Sequence, residues 1–296
     1  MGTTIDSIAL FENRDKSVKT SLELCKLAAE PCINQSSYSK EDIGLLVSVS
    51  VYRDNYFCEP AFSNFVQNVL EINNVKTDSL APKTLSFDVL NGAMGFLNAC
   101  QLSSAMITSG KVKTALVVCG DLVNGNVSEK GDTPGFNPNG AAMLLAGGKN
   151  GASGFKTFKF KTFTQMQDTF ESYMFHDKDH MTMIFKRDPA FEDMYLKAIS
   201  IGVSEFLKKE AALLDDFDVI IPSQISSGFI SKMADILGVK REKVIDVTQE
   251  DGDLFNASLP AAMNHIFKHN LQEKGKKALI VNVASGVQVG CAVYEF

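Results

Sequence analysis

The chain has 296 residues, of which 45% are hydrophobic and 22% charged. That length is typical of two fused halves, and the composition supplies a large core and excludes a disordered chain. A net charge of −6 with no basic stripe argues against a nucleic-acid partner, since nothing is arranged to neutralise phosphates. No apolar run reaches the roughly 18 residues of a membrane span, and the N-terminus lacks the basic start and apolar stretch of a signal peptide. The six cysteines form no C-x-x-C pair and several lie in apolar runs, so free buried thiols in a reducing cytosol are expected.

Strand-like and helix-like segments alternate along the chain. Residues Ile5–Phe11 form a short apolar run. Ser17–Glu30 has helical spacing, with Val18, Leu22, Cys25 and Ala29 on one side. Ile43–Val51 is rich in branched residues and predicts a buried strand. Pro60–Leu70 predicts a helix with Phe62, Phe65, Val66 and Val69 on one face, and Lys83–Asp88 a short strand. A helix over Met94–Ser109 closes at Gly110, followed by strands Val112–Cys119 and Ala141–Ala146. Lys156–Lys161 alternates like a half-exposed strand.

The same order recurs in the second half. Phe191–Leu214 predicts a long helix, Val219–Pro222 a strand, and a further helix runs to Gly238. Val244–Val247 predicts a strand, Ala257–His269 a helix, and Lys277–Val283 and Val287–Glu295 two final strands. "KVKTALVVCGD" (111–121) echoes "GKKALIVNVAS" (275–285). An internal duplication follows, with halves 1–150 and 151–296 joined by the turn-rich "GGKNGASG" (147–154).

The stretch "FDVLNGAMGFLNACQ" (87–101) runs from an apolar strand through a Gly-containing corner into a helical pattern. Such a corner usually presents a nucleophile, yet here it holds Ala93. The pattern Asp88-Val-Leu-Asn-Gly-Ala93-Met-Gly95-Phe96 resembles the D-x-x-x-A-C-x-G-F elbow of the ketoacyl-ACP synthase III group of thiolase-fold condensing enzymes. "GFNPNGAAMLLAGG" (135–148) is similar to the family's F-x-D-G-A-x-A, with Asn139 at the Asp and one extra residue after Phe136. "IIPSQISSGF" (220–229) resembles I-P-H-Q-A-N and the helix after it, and "GDLFNASLPAAM" (252–263) resembles G-N-T-x-x-A-S-x-P. "VASGVQVGCAVYEF" closes like the family's glycine loop and last strand. The resemblance covers Ile43 to the end and implies a five-layer α/β/α/β/α thiolase-like fold of two duplicated halves.

The family works with a Cys-His-Asn set: the Cys takes an acyl group from a thioester, and His and Asn stabilise the oxyanion as malonyl thioester loses carbon dioxide. The resemblance places Ala93, Ser223 and Asp253 at those positions. A methyl group forms no thioester, a serine does not replace an imidazole near neutral pH, and an ionised Asp repels an oxyanion. A single disarming substitution would explain Ala93 but not Ser223 and Asp253. Backbone N–H groups at Ala93 and in the Gly286 loop occupy the implied oxyanion hole, and Phe87, Met94 and Phe96 are candidates to line an acyl pocket. The family's coenzyme A-gripping segment after the first strand is reduced to a short connection between Phe11 and Ser17.

Other candidates carry less. His176 and His180, and likewise His265 and His269, have helical i, i+4 spacing but no third ligand, so no metal is expected. Cys58 and Cys100 are read as packed thiols, with a substitute nucleophile as the other reading. The expected function is a degenerate condensing subunit in fatty-acid-like or polyketide-like biosynthesis, partnered by an active homologue or by itself, with no cofactor and with acyl carrier protein or acyl-CoA as possible acyl sources. The alternative is an acyltransferase or thioester hydrolase using Ser223, Cys58 or water, and a third class is a plain acyl-binding homodimer. The elbow strand Lys83–Asp88 should lie at a sheet border, and the apolar face of Pro60–Leu70 should add to a dimer surface.

Overall fold

A computed structural model gives the architecture of the chain and describes residues 2–74, 83–123, 126–128, 131–148, 153–177, 180–248, 252–273 and 276–296. Its strands are β1 (Thr3–Glu12), β2 (Ile43–Ser48), β3 (Leu85–Asp88), β4 (Thr114–Asp121), β5 (Asn126–Val127), β6 (Asn139–Gly147), β7 (Gly154–Thr162), β8 (Phe170–Asp177), β9 (His180–Arg187), β10 (Val219–Pro222), β11 (Lys277–Ala284) and β12 (Gln288–Glu295). The α-helices are α1 (Ser21–Gln35), α2 (Phe62–Val69), α3 (Gly95–Thr108), α4 (Phe191–Glu210), α5 (Ser227–Leu237) and α6 (Ser258–Lys268).

Nine strands join in the order β10-β11-β12-β7-β1-β6-β4-β2-β3. The order contains one motif twice. In the first half β2 pairs in parallel with β4, β4 antiparallel with β6, and β6 antiparallel with β1. In the second half β10 pairs in parallel with β11, β11 antiparallel with β12, and β12 antiparallel with β7. The two sets meet through the single pair Thr3↔Phe155. The place of β3 is taken in the second half by an isolated bridge, Ile220↔Val244, so the strand expected over Val244–Val247 is only this bridge.

Alternating side chains sort the strands into three apolar layers, as a sheet buried on both faces requires. Leu46, Leu116, Val118 and Leu144 pack outward under α1 and α2. Ile220, Leu279, Val281 and Val293 do the same under α4 and α5. The opposite faces, with Leu45, Val47, Val117, Ile221 and Ile280, meet across the buried helices α3 and α6. Helices, sheet, helices, sheet and helices make five layers. The first layer is tight: a Cβ on Gly140 would lie 2.2 Å from the Leu24 carbonyl oxygen, and one on Gly120 2.6 Å from that of Ser21. Only glycine lets α1 sit this close to β4 and β6.

Several boundaries differ from the sequence expectations. Helix α1 starts at Ser21 rather than Ser17, because the Thr20 side chain caps it by accepting from the Glu23 amide, and it runs through Pro31 to Gln35. Helix α4 ends at Glu210, where Ala211 turns left-handed. His176 and His180 lie on a β-hairpin rather than a helix, with His176 opposite Met181 and Asp177 opposite His180. This hairpin, β8–β9, was not foreseen; Phe185 and Met183 bury one side of it while Tyr173, Met174 and Met181 stay exposed. Part of the expected joint, residues 149–152, lies outside the described residues.

Candidate functional site

The elbow is built between β3 and α3. Gly92 adopts φ +51°, a region that disfavours side chains, and lets the chain reverse. The Met94 amide donates to the Asn91 carbonyl at 3.0 Å and Gly95 to Gly92 at 3.1 Å. The Asn91 amide holds the corner from the side, donating to Asn98 Oδ1 at 2.7 Å and Gln288 Oε1 at 2.8 Å. Ala93 sits on this corner, two residues before α3.

A cavity of about 430 Å³ opens against the elbow. Ala93, Ser223, Asp253 and Gly286 all line it, although they come from four separate segments of the chain. Phe87 and Met94 do not: Met94 is fully buried among the central-layer residues and Phe87 packs against that cluster from the edge strand. Phe96 is likewise core. The acyl-lining role expected for these three side chains within their own chain is therefore corrected. The walls instead carry Tyr52, Phe136, Phe170, Phe191, Tyr195 and Phe255.

Ser223 extends the β10–β11 pairing. Its hydroxyl accepts from the Val283 amide at 2.9 Å and donates to the Val283 carbonyl at 3.4 Å, while its own amide donates to Val281. The hydroxyl is thus held against the Val283 backbone chiefly by the bond it accepts, and the residue is 3% exposed. Beside it the fully buried Gln224 donates to the Pro222 and Ile245 carbonyls, and its side-chain oxygen accepts from Val247. The Gln224 carbonyl in turn receives the Leu254 amide at 2.9 Å. This stitching fixes the loop that carries Asp253.

Asp253 accepts from the Phe255 amide at 2.7 Å. Its surface faces the cavity, and burial there pushes its pKa up to about 6, against the lowering effects of the Phe255 amide and the Arg187 charge. Phe255 holds φ +48°, an uncommon conformation for a bulky residue, and this puts its ring on the cavity wall. Phe255 stacks on Phe136 at 5.0 Å, and Phe136 on Tyr52 at 5.1 Å.

Below the cavity, Asp121 accepts from the Val51 and Tyr52 amides and from Asn256 Nδ2, at 2.7, 2.9 and 2.9 Å. Asn256 also donates to the Val49 carbonyl, so this hub ties the elbow side to the Asp253 loop. Burial pushes Asp121 up to about 6 despite its three donors. The sequence reading missed this hub, the aromatic wall and Arg187. A charged residue closing the apolar run "ALVVCGD" was the available signal for Asp121.

Cys58 is exposed and Cys100 fully buried, with burial pushing the Cys100 thiol up; neither lines the cavity. The rings of His265 on α6 and of His269, its C-cap residue, are 4.2 Å apart and line a smaller cavity of about 170 Å³. Among the described residues no group of three or more His, Cys, Asp or Glu is placed to hold a metal ion. Among them, too, no helix is long and apolar enough to cross a membrane.

The family description "3-Oxoacyl-[acyl-carrier-protein (ACP)] synthase III" matches residues 87–164, and its C-terminal counterpart matches 207–296. A β-ketoacyl-[acyl-carrier-protein] synthase III of Clostridium perfringens is 25% identical over 287 residues, covering 92% of this chain and 84% of that protein. One of Rickettsia bellii is 22% identical over 271 residues, covering 91% and 82%. The structure of Xanthomonas campestris OleA with bound lauric acid and lauroyl-CoA superposes with a TM-score of 0.82 at 17% identity, over 100% of this chain and 99% of that one. The cerulenin-bound form of the same protein gives 0.82 over 100% and 97%. The fold is that of the thiolase-like enzymes, the two matched regions together span more than half of the sequence, and the chain belongs to the ketoacyl-ACP synthase III-like group of condensing enzymes.

Proposed function

We propose that this chain is a degenerate ketoacyl synthase III-like subunit that has lost acyl-cysteine chemistry and works beside an active homologue. The observation that carries this reading is Ala93 at the elbow, where the cavity wall offers a methyl group instead of a thiol. Two further features support it. The Ser223 hydroxyl is engaged with the Val283 backbone, which disfavours both a donor to an oxyanion and a nucleophile. Asp253 presents a carboxyl where the family's Asn would donate a hydrogen bond.

In this reading the subunit contributes shape. Strand β3 is the last strand of the sheet and pairs on one side with β2. Leu85 in it and Leu90 just after it are 51% and 58% exposed. An edge that pairs with no further strand among the described residues and carries exposed apolar side chains is suited to a partner strand. Helix α2 contributes less than the sequence suggested: Phe62 and Val66 are buried in the chain's own core, and Phe65 is exposed. Two related chains meeting at β3 would continue the sheet, as self-pair or as heterodimer with an intact homologue. The pathway would be fatty-acid-like or polyketide-like synthesis in the cytosol, with acyl carrier protein or acyl-CoA as acyl source, and the halves 1–150 and 151–296 would be the two copies of one unit. Co-purification from the native host followed by mass analysis tests the partner. Recovery of a homologue with an intact Cys-His-Asn set is expected; a stable monomer turning over acyl thioesters alone would sink the reading.

A further inference from the structure

Arg187, at the end of β9, is a basic side chain on the wall of a cavity otherwise lined by rings, small residues and the carboxyl groups of Glu171 and Asp253. Its guanidinium is positioned by rings, 5.0 Å from the centroid of Phe191 and 5.7 Å from that of Phe170. The backbone opposite makes room for it. Gly135 has φ +80°, and a Cβ there would fall 2.1 Å from Arg187 Nη2. Arg187 acts on Asp253 only as a nearby charge, without an ion pair between them within 4.0 Å among the described residues. A guanidinium resting against two neighbouring rings on one side keeps N–H donors of its planar fork available, the geometry that suits a carboxylate.

We propose that this cavity reversibly binds a carboxylic acid with an apolar, preferably aryl, tail, its carboxylate held by Arg187 and its tail laid along Tyr52, Phe136 and Phe255. This deepens the reading above and rests on it, since a cavity that makes no acyl-enzyme is free to hold the acid itself. The tail assignment follows from the wall. Phe136 stacks on both Tyr52 and Phe255, at 5.1 and 5.0 Å, and those two meet at 5.6 Å, so the wall is a compact three-ring cluster that offers aromatic contact to an aryl tail. The volume of about 430 Å³ accommodates such an acid.

Protonation follows from the charges facing the site. Arg187 comes from β9, Glu171 from β8, Asp253 from the loop before α6, and Tyr52 and Tyr195 are neutral phenols raised by burial. A ligand carboxylate is repelled by ionised Asp253 but is a partner for its protonated form. With Asp253 titrating at about 6, binding takes up a proton near neutral pH and strengthens as pH falls from 8 to 6.

The test is calorimetric titration of the purified chain with benzoate and octanoate, against benzyl alcohol and octanol as neutral counterparts. Both acids stay ionised between pH 6 and 8. The acids are expected to bind at least about tenfold more tightly than the alcohols, the scale of a charge-assisted hydrogen bond, with benzoate ahead of octanoate per heavy atom. Arg187→Met should abolish the preference and Arg187→Lys should restore part of it. Gly135→Ala, which keeps the arginine but crowds its guanidinium, should weaken acid binding. Asp253→Asn should remove the pH dependence. Melting curves check that each variant is folded, and the wild-type comparison of acid with alcohol stands without any variant. Equal binding of acids and alcohols, or an unchanged acid affinity in Arg187→Met, overturns the proposal. Intact mass after incubation with an acyl thioester keeps the two ideas apart. An adduct refutes the loss of acyl-enzyme chemistry, whereas no adduct and no acid binding refutes only the ligand assignment.

Discussion

Replacing Asp88 by alanine should destabilise the protein more than any other single change at its edge strand. Asp88 Oδ2 accepts from the Phe62 amide at 2.7 Å and Oδ1 from the Ser63 amide at 2.8 Å, so it caps α2 from outside, where the N-cap residue Ala61 has no side chain to do so. The same carboxylate lies 2.9 Å from Arg53 Nη2, in an ion pair whose side chains are 12% and 3% exposed. The guanidinium meets it off-axis, so the attraction is chiefly coulombic. Arg53 is otherwise held by the Ser50 carbonyl at 2.8 Å and the face of Phe62 at 5.2 Å. Deleting Asp88 leaves a buried cation without its counter-ion, a loss of about 3–5 kcal/mol, and removes a cap that alone is worth about 0.5–2 kcal/mol. The effects share one group and do not add fully, so about 4 kcal/mol is expected. Urea unfolding followed by circular dichroism, at fixed protein concentration, measures it. Arg53→Met in the Asp88→Ala background should recover much of the loss, because the stranded charge is gone. A loss under about 1 kcal/mol, or no recovery in the double variant, would refute the argument.

Ala93→Cys alone should restore little condensation, because neither Ser223 nor Asp253 supplies the missing donor and each such loss costs on the order of 10²–10³ in rate; a malonyl-thioester decarboxylation assay measures it, and turnover like that of an ordinary family member would contradict the account. Asp121, raised to about 6 by burial, contributes stability that is full below its ordinary pKa near 3.8 and lost as pH rises through about 6. The destabilisation caused by Asp121→Asn should therefore shrink between pH 4.5 and 7.5, by about 2 kcal/mol, when urea midpoints of the pair are compared. Gly140→Ala should cost about 1–3 kcal/mol in the same assay, since the backbone of Leu24 cannot yield to a methyl group 2.2 Å from its oxygen. Light scattering should find a dimer, and Leu85→Lys with Leu90→Lys should shift it toward monomer; a wild-type monomer would remove support for the partner role.

Much of the fold was legible because its strands are buried on both faces. "TALVVCGD" and "KALIVNVA" are continuous apolar runs with little alternative, and they became β4 and β11 at equivalent places in the two halves. The elbow was legible for a different reason: Gly92 marks a reversal that few other residues permit, and Gly95 opens α3 where a Cβ would lie 3.2 Å from that of Val49. The hairpin β8–β9 was not. "FESYMFHDKDHMTMIFKR" mixes charge into a strand exposed on one side, and its histidines fit the helical period equally well. The site divided along the same line. Ala93, Ser223, Asp253 and Gly286 sit at motif positions and line one cavity, whereas Arg187 and the ring wall come from segments whose meeting depends on tertiary structure. Phe87 and Met94 were misplaced because sequence adjacency to the elbow says nothing about side: Met94 points into the central layer, where a Cβ on Gly290 would lie 2.6 Å from its Sδ.

The most direct measurement is intact-protein and peptide mass spectrometry of the chain after incubation with acyl-CoA and acyl-carrier thioesters, alone and with its co-purified partner. The account predicts that the peptide containing Ala93 and every other peptide of this chain stay unmodified while the partner's elbow cysteine gains the acyl group. A stable acyl adduct on any residue of this chain would contradict it.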